Sequence, residues 1–170
     1  LMHRWRMPSL SVHGIENAFS GQGAKTVIPA TCSGKFSIRT VPHIDSDKLD
    51  ALVIDHVNKE FAKLNSPNKM VCELVHNGAY WYSDPHNSSF TAASKATELV
   101  WGQKPDLTRE GGSIPITLTF EQQLKSSVVL IPCGKGNDGA HSINEKIDLE
   151  NYVKGAKLLG SFLYYFSETD

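Results

Sequence analysis

The run Ser126 to Ile131, closed by Pro132, constrains the fold more than any other part of this chain. It ends in four consecutive large aliphatic residues and shows no apolar-polar alternation, the pattern of a strand buried on both faces of a sheet. Such a strand needs neighbours on either side. No second confident central strand can be read in the same half of the chain. The expectation is therefore that these 170 residues supply only part of a sheet, with the remaining strands elsewhere in a longer polypeptide.

The first half reads as α+β. Leu10, Val12 and Ile15 mark a short strand, and Gly21-Gln22-Gly23 marks a turn. Lys25 to Val41 alternates well enough for one or two strands, with Phe36, Ile38 and Thr40 on one face and Gly34 at a bulge or turn. Leu49, Leu52, Val53, His56, Val57, Phe61 and Leu64 then recur at helical spacing. Asp45 or Ser46 can cap that helix, and Pro67 lies past its end. Met70 to His76 reads as a further strand. Strand, strand, helix, strand is the order of a small antiparallel sheet with a helix on one face. The pattern changes at the turn-rich stretch from Tyr80 to Pro85. Beyond it, Phe90 to Trp101 reads as helix, and Ile114 to Gln123 is ambiguous between strand and helix. Asp148 can cap a last helix carrying Tyr152, Val153, Ala156, Leu159, Phe162 and Leu163. Helix, strand, helix is a piece of an α/β layer. Two parts are expected, 1–80 and 81–170.

Charge excludes some partners. Seventeen Lys and Arg residues balance 18 Asp and Glu, a net charge of −1, which offers no electrostatic footprint for nucleic acid or an anionic membrane. No apolar run approaches the ~20 residues of a transmembrane helix. Arg4 and Arg6 precede no apolar core, so no signal peptide is expected. Cys32, Cys72 and Cys133 are odd in number, far apart and without a CxxC pair. Buried free thiols in a reducing, cytoplasmic setting are expected, rather than a disulfide framework or a zinc-thiolate site.

Two polar segments carry candidate chemistry. In Asp138-Gly139-Ala140-His141-Ser142-Ile143-Asn144-Glu145, Gly139 lets the backbone turn and His141 offers an imidazole of the kind zinc or manganese takes. The plainer alternative is a polar turn histidine. In Thr108-Arg109-Glu110-Gly111-Gly112-Ser113-Ile114-Pro115, glycines expose backbone N–H groups to an anion and Ser113 can donate to a carboxylate. A helix N-cap needs the same residue types, and both readings can hold at once. Arg39 ends a strand among apolar neighbours; its guanidinium suits bidentate carboxylate recognition, although spacing alone favours a surface salt bridge. His76 stands at the mouth of the Asn77-Gly78 loop, where a solvent-facing histidine is the plain reading. His43-Ile44-Asp45 has the letters His-x-Asp without a metal-site context and is read as accidental.

These two segments, together with Pro8-Ser9-Leu10-Ser11-Val12-His13-Gly14, Gly23-Ala24-Lys25-Thr26-Val27-Ile28-Pro29, Lys35-Phe36-Ser37-Ile38-Arg39 and Asn77-Gly78-Ala79-Tyr80-Trp81, occur in an order and spacing that resemble the M20-type metallopeptidases. The resemblance spans essentially the whole chain. It is closest to the cytosolic nonspecific (carnosinase-like) dipeptidases, in the branch of the Cys-Gly dipeptidases of glutathione breakdown. The chain departs from its relatives at Asn137, where they commonly carry Asp.

The resemblance implies a fold: residues 1–80 form the later part of an α+β lid, or dimerisation, domain. It is joined to the C-terminal α/β part of the catalytic domain at 81–170. It also implies roles. His141 is a metal ligand, His76 a catalytic contact to the oxyanion, and Thr26, Arg39, Glu110, Gly112 and Ser113 bind substrate. Two divalent metal ions, zinc or manganese, activate the attacking water in the intact enzyme. Their other ligands, and the general-base glutamate, belong to a half missing from this chain. The implied partners are a dipeptide substrate, that missing half and a second copy joined through the lid. On its own the chain is expected to be inactive, or to serve as an interaction module.

Overall fold

A computed structural model describes residues 1–110, 112 and 114–169. The chain divides into two compact units, Leu1–Tyr80 and Trp81–Asp170. The first contains α1 (Met2–Arg6), β1 (Ser9–Glu16), β2 (Ser33–Arg39) and α2 (Ser46–Lys63); the second contains α3 (Ser88–Trp101), α4 (Pro115–Leu124) and α5 (Leu149–Ser167).

In the first unit β1 and β2 pair antiparallel, with Leu10 opposite Ile38 and Val12 opposite Phe36. Period-2 alternation then places all four apolar residues on one face. The register slips between Val12 and Gly14, so the bulge lies on β1, where Gly14 has a φ of +147° that residues with a Cβ rarely adopt. Gly34, expected to mark the irregularity, instead pairs regularly with Ile15. Lys25 to Cys32 forms no strand, and Thr40 lies beyond β2. α2 starts where the sequence places it: the Asp45 carboxylate accepts from the Lys48 N–H at 3.1 Å, satisfying one of the donors a helix start leaves unpaired.

The apolar sheet face and the Leu52, Val53 and Val57 side of α2 flank a cleft of about 560 Å³. They do not close on each other, and Val12 and Leu52 remain 72% and 66% exposed. Met70 to His76, expected as a strand, joins no ladder among the described residues. Apolar alternation marks a segment able to pair, but pairing needs an available partner. This segment is instead fastened at its end to α2, where Asn77 Nδ2 donates to Asp47 Oδ1 at 3.1 Å and Ser46 Oγ to the Gly78 carbonyl at 3.4 Å.

In the second unit, α3 and α5 pack through small residues. Ser89, Ala92, Ala93 and Ala96 of α3 are buried, as are Asn151, Gly155 and Leu158 of α5. Most of the large apolar residues singled out on α5 behave differently: Tyr152, Val153, Leu159 and Leu163 are exposed, and Phe162 is half-buried. α3 offers α5 a narrow stripe of alanines rather than a broad apolar face, and Gly155 and Asn151 of α5 lie against Cys133. The ambiguous segment resolves as α4, entered through Pro115, whose missing N–H costs nothing at a first helical turn.

Ser126 to Ile131 is not a strand of any ladder among the described residues, contrary to expectation. Val128 and Val129 are half-buried and Leu130 is exposed. The run is tied by its ends. Ser89 Oγ donates to the Ser127 carbonyl at 3.0 Å, and Asn151 Nδ2 donates to the Cys133 carbonyl at 2.7 Å. Among the described residues no strand pairs with it.

The exposed area agrees. The chain presents 13608 Å² to solvent. Even two separate folded units of half its mass would together present only about 10,000 Å². The three cysteines are free as expected but not deeply buried: Cys32 is exposed, and Cys72 and Cys133 are intermediate. Among the described residues, no helix is long and apolar enough to cross a membrane.

Candidate functional site

His141 occupies the third position of a tight turn closed by the Ser142 N–H, which donates to the Gly139 carbonyl at 2.9 Å; the Ser142 hydroxyl donates to the same oxygen at 2.7 Å. Its φ is +63°. A left-handed backbone costs a residue with a Cβ about 1–2 kcal/mol, so the surrounding loop must hold it. Gly139 is itself left-handed at φ +68°, and an added Cβ would lie 2.9 Å from Ser142 Oγ, so the hydroxyl would have to shift. The His141 N–H donates to Glu145 Oε2 at 3.3 Å, and the side chain is exposed.

The stems of this loop meet in a ring of three ion pairs closed by one main-chain hydrogen bond. Buried Asp138 accepts the Lys135 N–H at 2.7 Å on one carboxylate oxygen and Lys146 Nζ at 3.1 Å on the other. Its main-chain carbonyl accepts the Lys146 N–H at 2.9 Å. Lys146 Nζ also reaches Asp148 Oδ1 at 2.9 Å, and Asp148 Oδ2 takes Lys135 Nζ at 2.6 Å. Asp148 occupies the N-cap position of α5 as expected, but its side chain caps nothing, being engaged by the two lysines. Those lysines, Lys135 foremost, hold its carboxyl down at about 2. Asp138 is also held below the usual carboxylate range, chiefly by the Lys135 N–H. Both lysines are raised in turn, each mainly by Asp148. Sequence reasoning missed this ring because its members have no regular spacing. The available signal was an Asp-Gly turn bracketed by lysines.

The loop that carries Glu110 and Gly112 is anchored beside it in sequence. Arg109 lies over the Tyr82 ring, 4.6 Å from its centroid, and donates to the Tyr82 hydroxyl at 3.3 Å. Glu110 and Gly112 are exposed, and the Gly112 carbonyl accepts the Ile114 N–H at 3.1 Å. Ser113 lies outside the described residues. Trp81 Nε1 donates to Glu121 at 2.8 Å, fixing the start of this unit to α4. The other candidates belong to the first unit. Arg39 is the last residue of β2, opposite Ser9; Thr26 lies in the connection between the strands; both are exposed. His76 is exposed on the segment that Asn77 fastens to the first turn of α2. His43 has a φ of +74° and stands 6.2 Å from the Tyr80 ring, in a setting unlike a metal site.

Among the described residues, no group of three or more His, Cys, Asp and Glu side chains could hold a metal ion. A catalytic zinc takes about three protein ligands, so these residues do not form a complete metal site. An exposed imidazole on a braced turn fits a single ligand position.

Comparison with known proteins gives this geometry its context. The model of peptidase family M20/M25/M40 matches residues 12–165. The Cys-Gly metallodipeptidase DUG1 of Candida albicans is 66% identical over 168 residues, covering 99% of this chain and 35% of the relative. The solved structure of the dipeptidase Dug1p from Saccharomyces cerevisiae superposes with a TM-score of 0.90 at 65% identity, over 99% of this chain and 35% of that one. Human carnosine dipeptidase 1 superposes with a TM-score of 0.87 at 44% identity, with the same coverages of 99% and 35%. The chain thus spans about a third of the length of these relatives. With a match extending over most of its residues, the chain belongs to the peptidase family M20/M25/M40.

Proposed function

We propose that these residues are part of a metal-dependent dipeptidase that hydrolyses dipeptides such as Cys-Gly, the dipeptide released in glutathione breakdown. What carries the reading is 66% identity, over 99% of the chain, to a relative named as a Cys-Gly metallodipeptidase. The geometry of the His141 turn supports it. In this reading His141 would offer an imidazole nitrogen to one of two divalent ions, zinc or manganese, whose remaining ligands lie outside this chain. The ions supply an activated water at neutral pH. Arg39 grips the dipeptide carboxylate in a bidentate pair. The backbone N–H groups around Gly112, with Ser113, cradle the same kind of anion. Glu110 lines that loop, and Thr26 orients substrate from the first unit. His76 donates to the oxyanion as it forms. Residues 1–80 serve as part of a lid that also joins two copies of the protein, in a cytoplasmic setting.

A second reading is favoured by the incomplete donor set: alone, the chain is an interaction or complementing module without activity. The test of the main reading uses the complete polypeptide that carries these residues. His141→Ala should lower kcat/KM for Cys-Gly by at least about 100-fold, together with loss of bound metal. Arg39→Lys should act mainly on KM, by about 10–100-fold, the worth of a hydrogen bond to a charged group. Wild-type turnover and metal content in His141→Ala would refute the assignment.

A further inference from the structure

We propose that Asp138, locked by Lys146, is a positioning residue that fixes the backbone from which His141 presents its imidazole. The inference rests on the reading of His141 as a ligand and extends it to residues that do not touch the metal.

The ring described above closes across the loop, not across a core. The main-chain bond from Lys146 to Asp138 joins the two ends of the segment that contains His141, and the Lys146 ammonium grips the carboxylate of the same aspartate. Asp138 thereby spends both carboxylate oxygens and its carbonyl on the two stems. Its side chain is 12% exposed, whereas that of Lys146 is 46% exposed, so the aspartate is the fixed member and the lysine closes over it from outside. Gly134 leaves the space this needs: a Cβ there would come within 2.8 Å of Asp138 Oδ2.

The far side of the ring is equally fixed. Asp148 stands at the N-cap of α5; α5 packs on α3, buries Leu158, and lies against Cys133 at Gly155. The left-handed turn at His141 is thus referred to a rigid helix pair through two lysines. The imidazole itself is exposed, so its location follows from the backbone and not from a packed pocket. Placement matters at this scale, because an error of about 1 Å in a reacting group costs on the order of 100-fold in rate.

The experiment uses the complete polypeptide. Asp138→Asn and Lys146→Met are compared with Lys146→Arg, which restores the cation, and with His141→Ala. Two readouts are taken. One is amide hydrogen exchange at Ser142 and Lys146 in the metal-free protein. The other is Co(II) affinity, measured against a chelator, together with the Co(II) absorption spectrum. Asp138→Asn and Lys146→Met should speed exchange at both amides, weaken Co(II) binding by about 10–100-fold and shift its spectrum, with Lys146→Arg close to wild type. Lys146 is exposed enough that Lys146→Met tests the idea even if Asp138→Asn fails to fold. Unchanged exchange in Lys146→Met overturns the proposal. So does faster exchange with unchanged Co(II) affinity and spectrum while His141→Ala abolishes binding, since the ring would then be structural only. Wild-type Co(II) binding by His141→Ala removes the ligand reading itself, and the proposal with it.

Discussion

Leu158→Ala tests whether the α3–α5 contact holds the second unit together. Leu158 of α5 is 1% exposed, and α3, the helix α5 packs against, buries Ala92 and Ala96 at 0%. The substitution removes three carbon groups from a dry site, about 2.4 kcal/mol in transfer free energy alone. Alanines on rigid helices have no length with which to fill the hole, so a cavity cost is added and the expected loss is about 3–5 kcal/mol. Small domains are stabilised by only about 5–15 kcal/mol in all, so the helical signal of this unit should collapse at far lower denaturant. The assay is urea unfolding followed by far-ultraviolet circular dichroism. Leu159→Ala is the control, one residue along and 51% exposed. It should cost about 0.5 kcal/mol or less, as surface substitutions do. A Leu158→Ala loss below about 1 kcal/mol, or equal losses at both positions, would refute the assignment of the buried stripe.

Two further outcomes concern the loop. Gly139→Ala places a Cβ at φ +68° and 2.9 Å from Ser142 Oγ, and should cost about 1–2 kcal/mol of stability and speed exchange at the Ser142 amide; unchanged exchange would contradict the turn geometry. The carboxyl of Asp148 falls from its ordinary 3.8 to about 2 on folding. A depressed folded value means that its contribution is complete above about pH 4 and drains away as pH drops toward 2. Asp148→Asn should flatten that acid limb of a stability–pH profile, and an identical limb in the variant would refute the ring's role. At the other end, Lys135 and Lys146 are raised, so their contribution is intact below pH 10.5 and is lost as pH rises further.

What could be read from the sequence was local. Asp45 caps α2 and Pro67 follows its end because both signals act within a turn of the chain. A backbone turn at Gly139 was legible as well, although the left-handed φ of +63° at His141 was not. What could not be read depends on distant partners. Apolar residues at 126–131 announce a strand wanting neighbours, and the sequence offers none in that half; what it could not give is how the run is held without a ladder, by Ser89 and Asn151. On α5, helical spacing picks out the bulky residues, whereas the buried residues are Asn151, Gly155 and Leu158, the first two set against the Cys133 segment that no sequence pattern places there. The Lys135–Asp138–Lys146–Asp148 ring escaped for the same reason: its ion pairs are set by how the loop closes on the helix, not by any repeat in the chain.

The most direct test of the central claim is hydrolysis of Cys-Gly by this 170-residue chain with added zinc or manganese, beside the complete polypeptide. The account predicts turnover by the complete polypeptide and none by the chain alone, to which the proposed function gives one ligand and part of the recognition surface. Turnover by the isolated chain, abolished in its His141→Ala variant, would contradict it by placing a whole catalytic site within these residues.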